Sequence, residues 1–310
     1  MEKDKNILLL GGNGFLGKGL RDELSNRNIN HDWIDINGID ECDDRYVDLT
    51  DETYNEKLLD FLNDATHIVI LAAKVGRNLF NADPIPSAKY NKRILNNVIS
   101  NMEYMHTKYN KSYDVTFYST CEIYGSQKSP NDIITLSTKP SFIDDDRKEY
   151  SIQKFDAELE LKEMFFLGTL LNNLKIIYPF NVSGKYQRRG VVYDMVESAY
   201  TKGTIWYNDD TTRTLTSAKY AQVEATNIIL RDNFGRYNLT ENITVYMEEL
   251  AHEVANIVGN IKNESIEIIK QPPDDKIRYR QTSLNNGSYN NKTLYRVITE
   301  VLEYVKNDNK

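Results

Sequence analysis

The stretch that most constrains this chain runs from Asn6 to Gly17, NILLLGGNGFLG. Four apolar residues, Ile7 to Leu10, end at a glycine cluster, and a helical pattern follows at once in Lys18-Gly19-Leu20-Arg21-Asp22-Glu23-Leu24. Strand, tight turn and helix succeed one another without spare residues. Gly11, Gly14 and Gly17 stand at GxxGxxG spacing. One glycine suits the turn, one admits a pyrophosphate against the backbone, and one lets the helix pack close to the sheet. The N–H groups at the helix start then face the phosphates. An ordinary glycine turn shares this spacing. Position directly behind an apolar strand, together with the residues downstream, points to dinucleotide binding, with contacts expected at Gly11, Asn13, Gly14, Phe15, Leu16 and Gly17.

His31 to Ile36 (HDWIDI) reads as the second strand, ending near Asp35. An acidic residue about 20 positions beyond the glycines holds the adenosine ribose hydroxyls in a Rossmann domain. Its charge repels a 2′-phosphate and favours NAD over NADP; a solvated strand-end carboxylate is the plainer alternative. Asn37 follows in the same loop. Tyr46-Val47-Asp48-Leu49 reads as a short third strand, with Asp48 set to meet the adenine edge and Leu49 beside it. Thr53 to Leu62 is helical. His67 to Ala73 (HIVILAA) is an almost unbroken apolar run, as in a strand buried on both faces of a parallel sheet. Ala72 and Ala73 are small enough for a cofactor to lie against the backbone, with Leu71 and Lys74 flanking them.

Pro86 to Tyr109 reads as a long helix with Asn91 in its first turns. Asp114 to Thr120 (DVTFYST) is the next strand, and Thr120, Cys121 and Glu122 stand at its C-terminal end. A polar loop from Gly125 to Asp146, a helix over Lys148 to Gly168 and a strand over Lys175 to Val182 follow. Strands alternating with helices imply an α/β fold, a Rossmann-like doubly wound parallel sheet. Past Gly184 the elements shorten: a helix over Val191 to Lys202, strands near Ile205 and Val245, a helix over Glu248 to Val258, and a terminal helix over Lys292 to Val305 with Lys306 to Lys310 frayed. The expected division is a dinucleotide-binding domain over 1–184 and a smaller substrate lobe over 185–310, partly interleaved with the sheet.

Composition narrows the function classes. A net charge of −8 argues against nucleic acid or an anionic membrane surface as a partner. Two cysteines, Cys42 and Cys121, and four histidines offer no disulfide framework and no expected metal site. The apolar run before the first glycine is too short for a signal-peptide core or a membrane span. The expectation is a soluble protein of a reducing, cytoplasmic setting.

Tyr150-Ser151-Ile152-Gln153-Lys154 places a tyrosine and a lysine at i and i+4, on one face of the predicted helix. An ammonium beside a phenol lowers its pKa from about 10. Such a tyrosine can take a proton from a substrate hydroxyl while a nicotinamide accepts the hydride. Thr120 can orient the reacting oxygen. YxxxK alone is a common solvated face; following GxxGxxG, an acidic second-strand end and a strand-end hydroxyl, it is far more specific.

In these residues and this order the sequence resembles the extended short-chain dehydrogenases/reductases, the nucleotide-sugar epimerases and dehydratases. The resemblance covers nearly the whole chain: GGNGFLG (Gly11 to Gly17), VDLTD (Val47 to Asp51), LAAKVG (Leu71 to Gly76), Asn91, STCEIYG (Ser119 to Gly125), YSIQK (Tyr150 to Lys154), PFNVSG (Pro179 to Gly184), the TRT around Arg213, and YNLTENIT (Tyr237 to Thr244) leading into ELAHEVANIVG. It implies a catalytic triad of Thr120, Tyr150 and Lys154, with Tyr150, Lys154 and Asn91 also touching the cofactor. It implies that Asn181 holds the substrate near its diphosphate, that Arg213 pairs with the diphosphate, and that Arg278 or Arg280 adds a second cation; bidentate pairing suits arginine to that task. It further implies tightly held NAD, oxidation of a sugar carbon, usually C4, to a ketone, and reaction at the acidified neighbour. A homodimer through a four-helix bundle of the helices over Lys148 to Gly168 and Pro86 to Tyr109 is implied as well.

Members of the family differ in the pair after the catalytic Ser or Thr, here Cys121-Glu122. Glu122 is similar to the Glu of sugar 4,6-dehydratases and UDP-glucuronate decarboxylases, a base toward the C5 proton of a 4-keto sugar or a group steering decarboxylation. Cys121 stands where those enzymes have Asp or Ser; a thiol of pKa about 8.5 serves as a weak acid or as inert packing. Asn181-Val182-Ser183-Gly184-Lys185 departs from the family's NxYGP, and Lys219 replaces an acidic residue. Both departures bear on which nucleotide and sugar are bound. The expected function is an NAD-dependent NDP-hexose epimerase or dehydratase, leaning to dehydratase-like or decarboxylase-like chemistry through Glu122. The alternatives are a plain 4-epimerase or 4-keto-sugar reductase on the same fold, and a non-catalytic dinucleotide-binding protein.

Overall fold

The structure is a computed structural model that describes residues 5–51, 54–75, 84–125, 133–142, 148–208, 212–271 and 291–308. In chain order the strands are β1 (Ile7–Leu10), β2 (His31–Ile34), β3 (His67–Ile70), β4 (Tyr113–Tyr118), β5 (Leu171–Pro179), β6 (Val182–Ser183), β7 (Thr204–Asn208), β8 (Thr212–Ser217), β9 (Gly235–Leu239), β10 (Ile243–Tyr246) and β11 (Glu267–Gln271). The helices are α1 (Phe15–Asn26), α2 (Glu56–Asp64), α3 (Pro84–Tyr109), α4 (Lys148–Leu167), α5 (Val191–Lys202), α6 (Ala218–Leu230), α7 (Met247–Lys262) and α8 (Asn291–Asp308). The chain divides into two compact units. The first gathers Met1–Ile123, Phe142–Tyr178 and Ala225–Tyr237; the second gathers Tyr124–Ser141, Pro179–Glu224 and Asn238–Lys310.

The first unit is built on a six-stranded sheet in the order β2-β1-β3-β4-β5-β9. β1 to β5 pair in parallel. The order reverses beside β1, and a doubly wound sheet binds its ligands at such a switch point, beyond the C-terminal ends of the strands. β1 and β3 are buried along their whole length, as their unbroken apolar composition requires. β3 stops at Ile70 rather than Ala73 because the N–H groups of Leu71 and Ala72 both turn to Leu10 O, at 2.9 and 2.8 Å. The third strand expected over Tyr46 to Leu49 is reduced to one parallel bridge, Asp35 to Tyr46. Asp48 ends the extension there: its Oδ1 accepts from both Thr50 N and Thr50 Oγ1 at 2.8 Å, a side-chain turn that competes with a ladder.

One face of β3, β4 and β5 holds buried polar groups. His67 pairs in register with Asp114, and Thr116 with Lys175. Asp114 and Thr116 share a face at strand period two, and His67 Nε2 lies 2.8 Å from Thr116 Oγ1. Burial and the nearby Lys175 and Lys5 hold His67 well below the usual imidazole range, hence neutral. Lys5 itself is spent on Leu230 O and Asp232.

In the second unit β10, β8 and β6 form a three-stranded sheet, and β11 pairs in parallel with β7. α8 buries Leu294, Val297, Ile298, Val301, Leu302 and Val305, an i, i+3, i+4, i+7 stripe, against α5, α7 and the strands. That helix continues to Asp308, where Arg188 pairs with the carboxylate at 3.1 Å, so Lys306 to Asp308 are helical rather than frayed. Four elements go beyond the sequence reading, one of them β9 at the edge of the six-stranded sheet. β8, TRTLTS, buries Thr212, Thr214 and Thr216, whose alternation reads as polar although Thr216 Oγ1 is satisfied by Phe180 O at 2.7 Å. α6, whose residues from Ala225 on belong to the first unit, buries Ala218, Ala221, Ala225, Ile228 and Ile229, a stripe too rich in alanine to stand out in hydropathy. β11 is a short edge strand. Among the described residues no helix is long and apolar enough to cross a membrane.

Candidate active site

The glycine loop is a cradle only glycines can build. Gly11 has φ +88°, and a Cβ there would lie 2.7 Å from Ala72 N. A Cβ on Gly17 would collide with Gly11 O, and one on Gly12 with the Trp33 side chain. Gly12 is therefore a fourth constrained position, signalled in the sequence only by the doubled glycine. Gly14, by contrast, would place a Cβ in ordinary contact with Gly11 O, at 3.4 Å, and is the N-cap of α1, to which it brings no capping side chain. The first-turn N–H groups of α1, on Phe15, Leu16 and Gly17, are thus presented to an anion. A pyrophosphate fits this arrangement.

Asp35 is buried at the end of β2 and stitches that strand to the loop. Its Oδ2 accepts from Asn13 N at 2.9 Å; its Oδ1 accepts from Ile36 N, Asn37 N and Asn37 Nδ2 at 2.7 to 3.1 Å. Asn13 Nδ2 closes the ring on Asn37 O. A carboxylate so placed suits ribose hydroxyls and is a poor partner for a phosphate. Beyond β3, Asn91 is buried in α3, and both ends of its amide face Lys74: Lys74 N donates to Oδ1 at 2.7 Å, and Nδ2 donates to Lys74 O at 3.0 Å. Asn91 so fixes the backbone at Lys74. Gly76, at the end of the same motif, lies outside the described residues.

Thr120, Cys121 and Glu122 are buried just past β4, the last two in a 3₁₀ turn (Cys121–Tyr124). Glu122 N donates to Thr120 Oγ1 at 3.2 Å. α4 lies on this turn: Ser151 Oγ donates to Glu122 O at 3.2 Å, and Lys154 Nζ donates to Tyr118 O at 2.8 Å. These two bonds bring Tyr150 and Lys154 to the strand end that carries Thr120. β1 and β4 run parallel, so this end and the glycine loop share one edge of the sheet. Burial pulls the Lys154 ammonium down to about 8, against the opposing pull of Glu158. The sequence reading passed over Ser119, Ser151 and Glu158; polar residues on a helix read as solvated unless the buried side is known.

In the second unit Asn181 and Arg213 belong to one strand system. Asn181 has φ +33°, its Nδ2 donates to Thr214 O at 2.8 Å, and its O accepts from Thr216 N. Arg213, half-buried on β8, donates from Nη1 to Thr212 O at 2.8 Å. Arg278 and Arg280 lie outside the described residues. Among the described residues no cluster of histidine, cysteine and carboxylate side chains could hold a metal ion.

The chain is similar in fold to several solved structures over nearly all its length. The UDP-glucose 4-epimerase of Thermus thermophilus, in complex with NAD, is 16% identical, with 97% of this chain and 99% of that one covered and a TM-score of 0.75. TunA, an NAD-dependent NDP-hexosamine 5,6-dehydratase of tunicamycin biosynthesis, is 15% identical over 98% of each chain, TM-score 0.77. RMD of Pseudomonas aeruginosa, complexed with NADPH, is 16% identical over 98% of this chain and 99% of that one, TM-score 0.77. No curated protein sequence matches the chain. The sequence profile described as "NAD dependent epimerase/dehydratase family" matches residues 7–239. With that match over most of its length, and with a glycine cradle and strand-end carboxylate suited to NAD, the chain belongs to the NAD dependent epimerase/dehydratase family.

Proposed function

We propose that this protein oxidises the sugar of a nucleoside diphosphate sugar at C4 and then acts on the neighbouring C5 position. The observation that carries the reading is the pair of bonds from Ser151 and Lys154 that fasten α4 to the end of β4. They support a shared task for Thr120, Tyr150 and Lys154. Thr120 Oγ1 accepts the Glu122 N–H, which leaves its own hydrogen to be donated to the sugar oxygen. Tyr150 takes the C4 hydroxyl proton as its phenolate, which the Lys154 ammonium stabilises. Bound NAD supplies the acceptor for the C4 hydride. The ketone left behind acidifies C5–H, and Glu122, two residues past Thr120, is the base for that proton. Cys121 remains either a weak acid or packing. Asn181 and Arg213 would hold the diphosphate, which suits the fork of a guanidinium.

The test is incubation of the protein and NAD with UDP-, GDP-, dTDP- and CDP-sugars in deuterated water, read by mass spectrometry. A product lighter by water or carbon dioxide, or one carrying deuterium at C5, supports the base role of Glu122. A C4 epimer without deuterium makes Glu122 a bystander, and no turnover of any sugar overturns the reading.

We further propose that the protein is a homodimer. α3 and α4 enclose an apolar groove lined by Ile85, Ala88, Leu95, Ile152 and Ala157, with Lys89 and Lys92 on one wall and Asp156 and Glu160 on the other. Two copies related by a twofold axis would match these charges and form a four-helix bundle. Ile85 is largely exposed at the rim. Sedimentation should show a dimer at micromolar concentration, and Ile85→Glu should convert it to a monomer. A monomeric unsubstituted protein would refute the arrangement.

A further inference from the structure

The buried face of α4 is charged. Its buried residues are Tyr150, Ser151, Lys154, Ala157, Glu158 and Leu161, so a lysine and a glutamate one turn apart both point inward. Glu158 has no exposed surface at all. A buried carboxylate persists only where its charge and lone pairs are answered. Here Oε1 accepts from Ser119 Oγ at 2.5 Å, and Oε2 accepts from the Tyr178 hydroxyl at 2.7 Å and lies 3.4 Å from Lys162 Nζ. The Tyr178 oxygen in turn accepts from Arg236 Nε at 2.8 Å. The carboxylate thereby ties together α4, β5, β9 and the residue that precedes Thr120.

Hydrogen bonding alone does not call for a charge at this point, since a glutamine would accept from one of the two hydroxyls through its oxygen and donate to the other through its amide nitrogen. What a glutamine lacks is the field. Lys154 Nζ donates to a neutral carbonyl, Tyr118 O, and sits 4.7 Å from the Phe117 ring, neither of which carries a full negative charge. The groups that face this cluster are Tyr150 and Lys162 on α4, the Tyr118 carbonyl at the end of β4, Tyr178 on β5 and Arg236 on β9. Lys89 and Lys92 of α3 meet α4 on its opposite face, with Asp156 and Glu160. Lys162 keeps a fifth of its surface in solvent, whereas Lys154 is buried. Loss of the shared carboxylate therefore weighs most on Lys154.

We propose that Glu158 is a positioning residue of this active site: its buried carboxylate is the counter-charge that keeps Lys154 an ammonium ion, and its bond to Ser119 sets the backbone on which Thr120 stands. The proposal rests on the roles given above to Tyr150 and Lys154. It differs from a purely structural role in one readout, the protonation of Lys154 itself.

The experiment is an NMR titration of the lysine Cε resonances in the full, cofactor-free chain, with the Lys154 signal assigned through Lys154→Arg. The unsubstituted protein should titrate near 8. Glu158→Gln should move that midpoint down by at least about one pH unit. Lys162→Gln, a partly exposed change that removes a competing cation, should move it upward and keeps the test decisive if Glu158→Gln does not fold. An unchanged Lys154 midpoint in Glu158→Gln, or an unchanged or lowered one in Lys162→Gln, overturns the proposal. The titration needs neither NAD nor sugar, so its failure is distinct from failure of the reaction assigned to the site, which the sugar panel decides.

Discussion

Tyr150→Phe is expected to lower turnover by about 10²–10⁴-fold, the usual worth of a positioned general base, while NAD stays bound. The substitution removes one oxygen and keeps the ring. Tyr150 is buried in the first turn of α4, so the apolar contacts of that ring persist and the helix still fastens to the strand end through Ser151 and Lys154. What disappears is the proposed acceptor for the proton of the sugar hydroxyl. Lys154→Met should approach the same loss by a different route. It removes the charge that stabilises the phenolate, and it also removes the bond to Tyr118 O, so its thermal midpoint should fall where that of Tyr150→Phe does not. Turnover on the responding sugar, NAD affinity by calorimetry and thermal midpoints separate these outcomes. A Tyr150→Phe variant within tenfold of the parent would remove Tyr150 from the role of base.

Much of this site is legible in the sequence because its chemistry depends on residues that local patterning exposes. Gly11, Gly14 and Gly17 follow an apolar strand at fixed spacing, and Asp35 closes the next strand. Their side chains, or lack of them, act within a few ångströms of their own backbone. The buried carboxylate of Glu158 is the opposite case. In sequence it is one more glutamate on a charged helix, and only its burial against Ser119 and Tyr178 gives it a role. Asn91 shows the same limit: resemblance implies a cofactor contact, whereas the fold adds that its amide is engaged with the backbone of Lys74. The smaller unit was harder to read because its strands hide their core. Threonines in β8 bury their methyl groups, with the Thr214 and Thr216 hydroxyls bonded and Thr212 Oγ1 without a partner among the described residues, and the start of α6 packs through alanines. β5 begins four residues before Lys175 because Asn173, buried and bonded to Leu174 N, occupies a strand position that its type disguises.

Lys175→Met is expected to stabilise the protein at neutral pH by as much as about 3 kcal/mol, and by progressively less as the pH rises. Lys175 lies in the middle of β5 with no exposed surface, and among the described residues its Nζ has no hydrogen-bond partner. Burial pulls the ammonium down to about 8 from its ordinary 10.5, with Asp114 and Asp232 opposing the shift and Lys5 adding to it. The sign follows from proton counting. Between these two values the unfolded chain binds a proton that the folded chain does not, so stability rises with pH through that window. Below about 8 both states are charged and the folded state bears the full penalty of a buried, unpartnered cation. Methionine has a similar unbranched shape and no charge to desolvate. The variant should therefore have the higher thermal midpoint at pH 7, by roughly 2–4 °C for each kcal/mol gained, and the gap should narrow toward pH 10.5. Taking the difference between the two proteins at each pH cancels the titrating groups that Lys175 does not influence, Lys154 among them; His67, which Lys175 holds down, is the exception. A gap that stays constant from pH 7 to 10.5 would mean that Lys175 is as solvated in the folded protein as in the unfolded one. A destabilised variant at neutral pH would mean that the attraction of Asp114 outweighs the burial of the ammonium.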